Sequence, residues 1–164
     1  MASPRGCTNL KLRRLSRTVA RGYDAEMRPL GLSDTQYALL SHVVRLGPVA
    51  PGALAQALGL DPSTLTRTLR PLVEAGWVAE LAPDARADRR SRPLVATPAG
   101  SALRAQAQQR WRASQERLNQ VLGPGRVAAL HALLDECTAL LDAAARPAGP
   151  AAETASPATA QATT

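Results

Sequence analysis

Between Leu54 and Gly100 the spacing of apolar residues changes twice, and few folds accept both changes within so short a span. A short helix is expected from about Pro51 to Leu58, closed by Gly59 and a turn. Asp61 then caps a further helix to about Ala75, with Leu65, Leu69 and Leu72 on its inward side. Pro71 falls inside that helix, where its ring should weaken or bend it. Gly76 stops the helical spacing, and Trp77-Val78-Ala79-Glu80-Leu81 alternates as a strand does. After a charged loop from Pro83 to Arg92, Leu94-Val95-Ala96-Thr97 reads as the returning strand of a β-hairpin. Thr97-Pro98 restores helical spacing, with Thr as N-cap and Pro at the first helical position.

The flanking segments are helical. The first helix is expected from about Thr8 to Met27, with Leu12, Leu15, Val19 and Tyr23 in one stripe and arginines on its other faces. Pro29 and Gly31 break it, and Ser33 caps the next, which carries Tyr37, Leu40 and Val44 as far as Gly47-Pro48. The helix opened at Thr97 places Leu103, Ala107, Trp111, Ser114, Leu118 and Val121 inward. After Gly123-Pro124-Gly125, a last helix places Val127, Leu130, Leu134, Cys137 and Leu141 at alternating steps of three and four, the spacing of a seam between helices. Residues 146–164 are nearly all Ala, Pro, Thr, Gly and Ser and are expected to be disordered, because they hold no large apolar group to offset the entropy of ordering. The expected fold is mainly α with one small β-hairpin.

The formal charge of +7 and pI near 10.9 fit a polyanionic partner. Their distribution tempers this. From Asp61 to Thr97 six arginines face five acids, whereas residues 1–30 hold seven cations against Asp24 and Glu26. Any contact with nucleic acid by the 61–97 segment therefore depends on local placement, not bulk charge. Arg5, Lys11, Arg13, Arg14 and Arg17 interrupt the start of the chain before any apolar run forms, so neither a signal peptide nor a membrane span is expected, and the expected compartment is the cytoplasm. Two cysteines, Cys7 and Cys137, are too few for a disulfide framework. The sequence carries no Gly-rich phosphate loop and no metal-ligand spacing, and only His42 and His131 could serve as imidazole bases, so neither an enzyme nor a cofactor is expected.

Leu54-Ala55, Leu58-Gly59, Leu65-Thr66-Arg67 and Leu69 fit a helix-turn-helix, in which a short helix buttresses a second one able to lie in the major groove of DNA. An ordinary helical hairpin has the same spacing. What separates the two is the β-hairpin that follows, with Arg86, Arg89, Arg90 and Arg92 at its tip: a winged-helix arrangement, whose helix offers hydroxyls and Arg to base edges and whose wing offers cations to phosphates. Asp88-Arg89-Arg90 followed by Leu94, Thr97 and Gly100 resembles the wing of the MarR family. Gln36-Tyr37, Leu60-Asp61, Thr66-Arg67, Leu72 and Glu74-Ala75-Gly76-Trp77-Val78 also fall where that family places its turn and helices, and the resemblance covers roughly residues 8–143. Ala96 departs from it, standing where the family usually has Leu.

The resemblance implies a winged helix-turn-helix region over residues 33–97, and a helical dimerisation region over 1–32 and 98–145. It implies double-stranded DNA as partner, with Ser63, Thr64, Thr66 and Arg67 facing the groove, Arg70 on a phosphate, Arg86, Arg89 and Arg90 in the wing contact, and Asp88 bracing the wing. A homodimer would present two recognition helices about one turn of DNA apart, hence an inverted-repeat operator, and repression is the commoner outcome in the family. A monomeric bundle folded on its own seam is the alternative. Family members are often released by small anionic or phenolic molecules bound where the first two helices meet the fifth, which makes Arg14, Arg17, Tyr37, Ser41 and His42 the candidate ligand residues. The basic first helix could instead add phosphate contacts. Cys7, near a helix N-terminus beside Arg5, is a candidate redox thiol. It lies about two residues early for the family's reactive cysteine, and Cys137 reads as a small core residue. A winged helix that contacts protein and not DNA is the remaining rival.

Overall fold

Ser33 accepts a hydrogen bond from the Gln36 backbone N–H at 3.2 Å, while the Gln36 side chain accepts from the Ser33 N–H at 2.8 Å, a reciprocal cap that starts helix α2 (Asp34–Leu46). Asp24, near the end of helix α1 (Thr8–Met27), accepts from the Asp34 N–H and so satisfies a further free donor of α2. Ser33→Ala should lower stability by about 1 kcal/mol, read as a lower Tm with unchanged helix content. The computed structural model describes residues 5–82 and 92–145. Beyond α1 and α2 it contains a 3₁₀ turn (Arg28–Leu30), helices α3 (Pro51–Leu58) and α4 (Pro62–Glu74), strands β1 (Val78–Glu80) and β2 (Leu94–Ala96), and helices α5 (Pro98–Leu122) and α6 (Pro124–Ala145).

α2 is the centre of the core. Leu39, Leu40 and Val43 are fully buried on it, together with Met27 of α1, Leu54 of α3, Leu72 of α4 and Leu94 of β2. Its stripe takes the three-residue step from Leu40 to Val43, so Val44, expected inward, stays partly exposed. Gly59 adopts φ 61°, ends α3, and lets the Leu60 N–H reach the Ala55 carbonyl, which turns the chain into α4. α4 buries Leu65, Leu69 and Leu72 along one face. Pro71 lies on its exposed side, and the helix continues for three residues beyond it.

β1 and β2 pair antiparallel, with Val78 opposite Ala96 and Glu80 opposite Leu94. The strands are shorter than the alternation predicted, because Leu81 faces solvent, although its N–H still reaches the Pro93 carbonyl. Val49 exchanges both backbone hydrogen bonds with Leu94, at 3.0 and 2.8 Å, and ties the entry to α3 onto the hairpin. Ala96 is partly buried against the core cluster. Thr97 Oγ1 accepts from the Gly100 N–H and donates to the Gly76 carbonyl, capping α5 and pinning it to the end of α4.

The chain divides into two compact units, one through Val121 and one from Leu122. In the first, only Tyr23 and Met27 of α1 are buried, while Leu10, Leu12 and Leu15 stand exposed, against the stripe predicted for Leu12 and Leu15. On α5, Ala107 and Ser114 are buried as predicted, but Val121 is 76 % exposed. In the second unit, Val127 is buried, whereas Leu133, Leu134, Leu140 and Leu141 are exposed along α6. Cys137, predicted to fill a core, is exposed as well. Each of these helices is apolar on a face that one copy of the chain does not cover. The segment 146–164 lies outside the described residues.

Candidate nucleic-acid interface

Burial of Leu65, Leu69 and Leu72 rotates the opposite side of α4 to solvent, and Ser63, Thr66, Arg67 and Arg70 stand exposed on it, with Thr64 half-buried. Asp61 organises the start of this helix. Its carboxylate accepts from the Ser63 hydroxyl at 2.6 Å, from the Thr64 hydroxyl at 2.6 Å and from the Thr64 backbone N–H at 2.8 Å. The Ser63 and Thr64 side-chain bonds, with help from the Thr64 N–H, hold the Asp61 carboxyl well below the usual carboxylate range. Its capping contribution is thus present above the ordinary Asp range, and is lost only as pH falls through the depressed value.

The other members of the set are also engaged. Thr66 Oγ1 donates to the Pro62 carbonyl at 2.8 Å, and Arg67 Nη2 reaches Thr64 Oγ1 at 3.4 Å. Arg70 Nε pairs with Glu74 at 2.7 Å, one turn on, and this pair raises the guanidinium pKa further. Both partners are well exposed, so the pair adds little stability and Arg70 can exchange Glu74 for another anion. At the described edge of the hairpin, Arg92 lies 3.6 Å from Glu80. Arg86, Asp88, Arg89 and Arg90, expected to form and brace the wing contact, lie outside the described residues.

The five candidate ligand residues do not form one described cavity. Tyr37 belongs to the core, the Ser41 hydroxyl is buried without a hydrogen-bond partner, and His42 Nδ1 lies 2.8 Å from the Ala38 carbonyl. Arg14 and Arg17 are exposed on α1, and Arg17 lines an open hollow of about 350 Å³ with Leu12, Arg13 and Ser16. A different cavity, of about 400 Å³, lies among the end of α1, the 3₁₀ turn and α5, lined by Glu26, Leu30, Gln106, Gln109, Arg110 and Ala113. Glu26 there holds Arg117 at 2.9 Å and Arg110 at 3.9 Å.

Comparison with known proteins converges on one family. Residues 30–91, which begin at the last residue of the 3₁₀ turn, match the MarR family model. The chain is 28 % identical to the Mycobacterium tuberculosis transcriptional regulator MosR, solved in complex with DNA, over 83 % of this chain and 98 % of that one, with a TM-score of 0.69. It is 27 % identical to a mutant of Escherichia coli MarR solved with operator DNA, over 79 % and 91 % of the two chains, with a TM-score of 0.70. Over residues 30–91 the chain is similar to the MarR family. A curated relative, the HTH-type transcriptional regulator YwoH of Bacillus subtilis, is 30 % identical over 63 residues, which are 38 % of this chain and a little under half, 46 %, of that protein.

The sequence reading named residues that the structure exposes on α4, but missed the part Asp61 plays beyond capping. The signal was present: an N-cap acid followed at once by hydroxyls at the second and third helical positions, Ser63 and Thr64. Cys7 is the exposed N-cap residue of α1 and makes no side-chain capping bond. Among the described residues no group of His, Cys, Asp or Glu is placed to hold a metal, and no helix is long and apolar enough to cross a membrane.

Proposed function

We propose that this protein is a homodimeric repressor that binds an inverted-repeat operator and releases it when a small anionic or aromatic molecule binds. The observation that carries the reading is the exposed face of α4. Ser63, Thr66 and Arg67 project from a helix anchored by three buried leucines, directly ahead of a β-hairpin, which is the geometry needed to hold a helix in the major groove. That similar structures were solved in complex with DNA supports DNA as the partner. Dimerisation accounts for the uncovered leucines of α1 and α6, since exposed apolar area of that extent is unfavourable in an isolated chain. Release by an effector is supported by the Ser41 hydroxyl, buried without a partner at one of the expected ligand positions. Arg14 and Arg17 would supply the charge for an anion, with Tyr37 and His42 as neighbours on the second helix.

An anisotropy titration with labelled DNA from upstream of the protein's own gene, at two salt concentrations, tests the reading. Wild type should bind tightly, with log affinity falling linearly in log salt. Arg67→Ala should cost roughly tenfold to a hundredfold in affinity for the operator, and much less on unrelated DNA. No binding to any DNA would leave the helix-turn-helix as a protein-contact module.

A further inference from the structure

The described hydroxyls of the α4 reading face all point their protons back into the protein. Ser63 Oγ sits 2.6 Å from Asp61 Oδ1, Thr64 Oγ1 sits 2.6 Å from Asp61 Oδ2, and Thr66 Oγ1 sits 2.8 Å from the Pro62 carbonyl oxygen. A hydroxyl has one proton to give, and an ionised carboxylate or a carbonyl has none, so in each pair the hydroxyl must be the donor. The two bonds to Asp61 have the length of charge-assisted O–H···O⁻ bonds, roughly twice as strong as neutral ones, so turning either proton outward is unfavourable. Toward solvent, Ser63 and Thr66 are left with lone pairs only. Thr64 spends one of its own on Arg67 Nη2. Arg67 is then the donor among the groove-facing four.

We propose that Asp61 is a positioning residue for base selectivity: by fixing the Ser63 and Thr64 protons it makes this face of α4 an acceptor surface, so that the base opposite Ser63 must be an amino base, adenine or cytosine. The inference rests on the DNA-binding reading above. In the major groove adenine N6 and cytosine N4 donate, while guanine O6 and thymine O4 accept at the corresponding place. A serine free to rotate pairs with either kind and discriminates weakly. A serine whose proton is held by a carboxylate pairs with the amino group and sets lone pair against lone pair at a keto oxygen. Arg67, with donors alone, has the complementary preference for guanine O6 and N7. The helix face thus reads amino and keto edges with opposite polarity at neighbouring positions.

Selection from a duplex library with a randomised centre, by wild type, Ser63→Ala and Asp61→Gly, tests this. Asp61 Oδ1 both caps α4 and holds the Ser63 proton, so a variant that keeps a capping oxygen would keep Ser63 fixed. Gly is tolerated at an N-cap at small cost and has no side-chain acceptor, so both hydroxyls are released while α4 stays formed. Ser63→Ala marks the base position that Ser63 reads, by loss of preference there. In wild type that position should be held by A or C, with G and T depleted about tenfold, and in Asp61→Gly the depletion should fall toward parity. G or T held there by wild type, unchanged amino-over-keto selection in Asp61→Gly, or a motif untouched by Ser63→Ala would each overturn the inference and leave sequence-specific binding intact. A library from which wild type enriches no sequence would overturn the DNA-binding reading itself, and the inference with it.

Discussion

Gly100→Ala should remove about 3 kcal/mol of stability and lower the Tm by roughly 10 °C. A Cβ at this position would overlap the Trp77 carbonyl oxygen and come within 2.8 Å of the carbonyl carbon and 3.1 Å of the Trp77 Cα. All three are backbone atoms, so no side chain can swing away. Neither segment is free to retreat. The Thr97 N–H donates to the same Trp77 carbonyl at 3.1 Å, and Thr97 Oγ1 links the Gly100 N–H to the Gly76 carbonyl. Relief of the overlap would therefore break the cap of α5 or separate it from the strand that opens the wing. The loss is a large share of the 5–15 kcal/mol that holds a typical domain together. Gly52, inside α3 with nothing near its missing Cβ, is the control, and Gly52→Ala should raise stability by about 0.5–1 kcal/mol. Equal melting curves for Gly100→Ala and wild type would show that α5 does not rest on Trp77 in solution.

The elements with local causes were legible in the sequence. Ser33, Asp61 and Thr97 read as caps and are caps, because an N-cap needs only a short polar side chain and the N–H groups two or three residues ahead. The Leu65-Leu69-Leu72 stripe read correctly because α4 packs with that face against the core of its own chain. The stripes of α1, α5 and α6 were legible as apolar faces but not as buried ones: Leu12, Leu15, Val121, Leu141 and Cys137 lie where periodicity puts them, yet nothing in one copy covers them. Periodicity identifies a face without identifying what packs on it. The same limit applies at the interface. The family resemblance implied Ser63, Thr64, Thr66 and Arg67, but the direction of a hydroxyl proton depends on where Asp61 and the Pro62 carbonyl lie once the helix forms.

Leu134→Glu combined with Leu141→Glu should convert a dimer to monomers and weaken operator binding about a hundredfold. Both leucines are exposed on α6 and lie one heptad apart, so the substitutions need not disturb the fold of a single chain, and helix content should stay the same. In a dimer the same positions would be apolar contacts. Burying two carboxylates in each copy there would cost several kcal/mol beyond the roughly 1.5–3 kcal/mol lost with each buried leucine. The effect on DNA follows from linkage between half-sites. A dimer that has bound one half-site meets the second at a high effective concentration, whereas a monomer binds each separately. Sedimentation and anisotropy on the same samples separate the causes. Monomers with weakened binding would tie operator affinity to the α6 seam. A double variant that remains dimeric would move the interface to the exposed leucines of α1, Leu10, Leu12 and Leu15, where the same substitution is the next test.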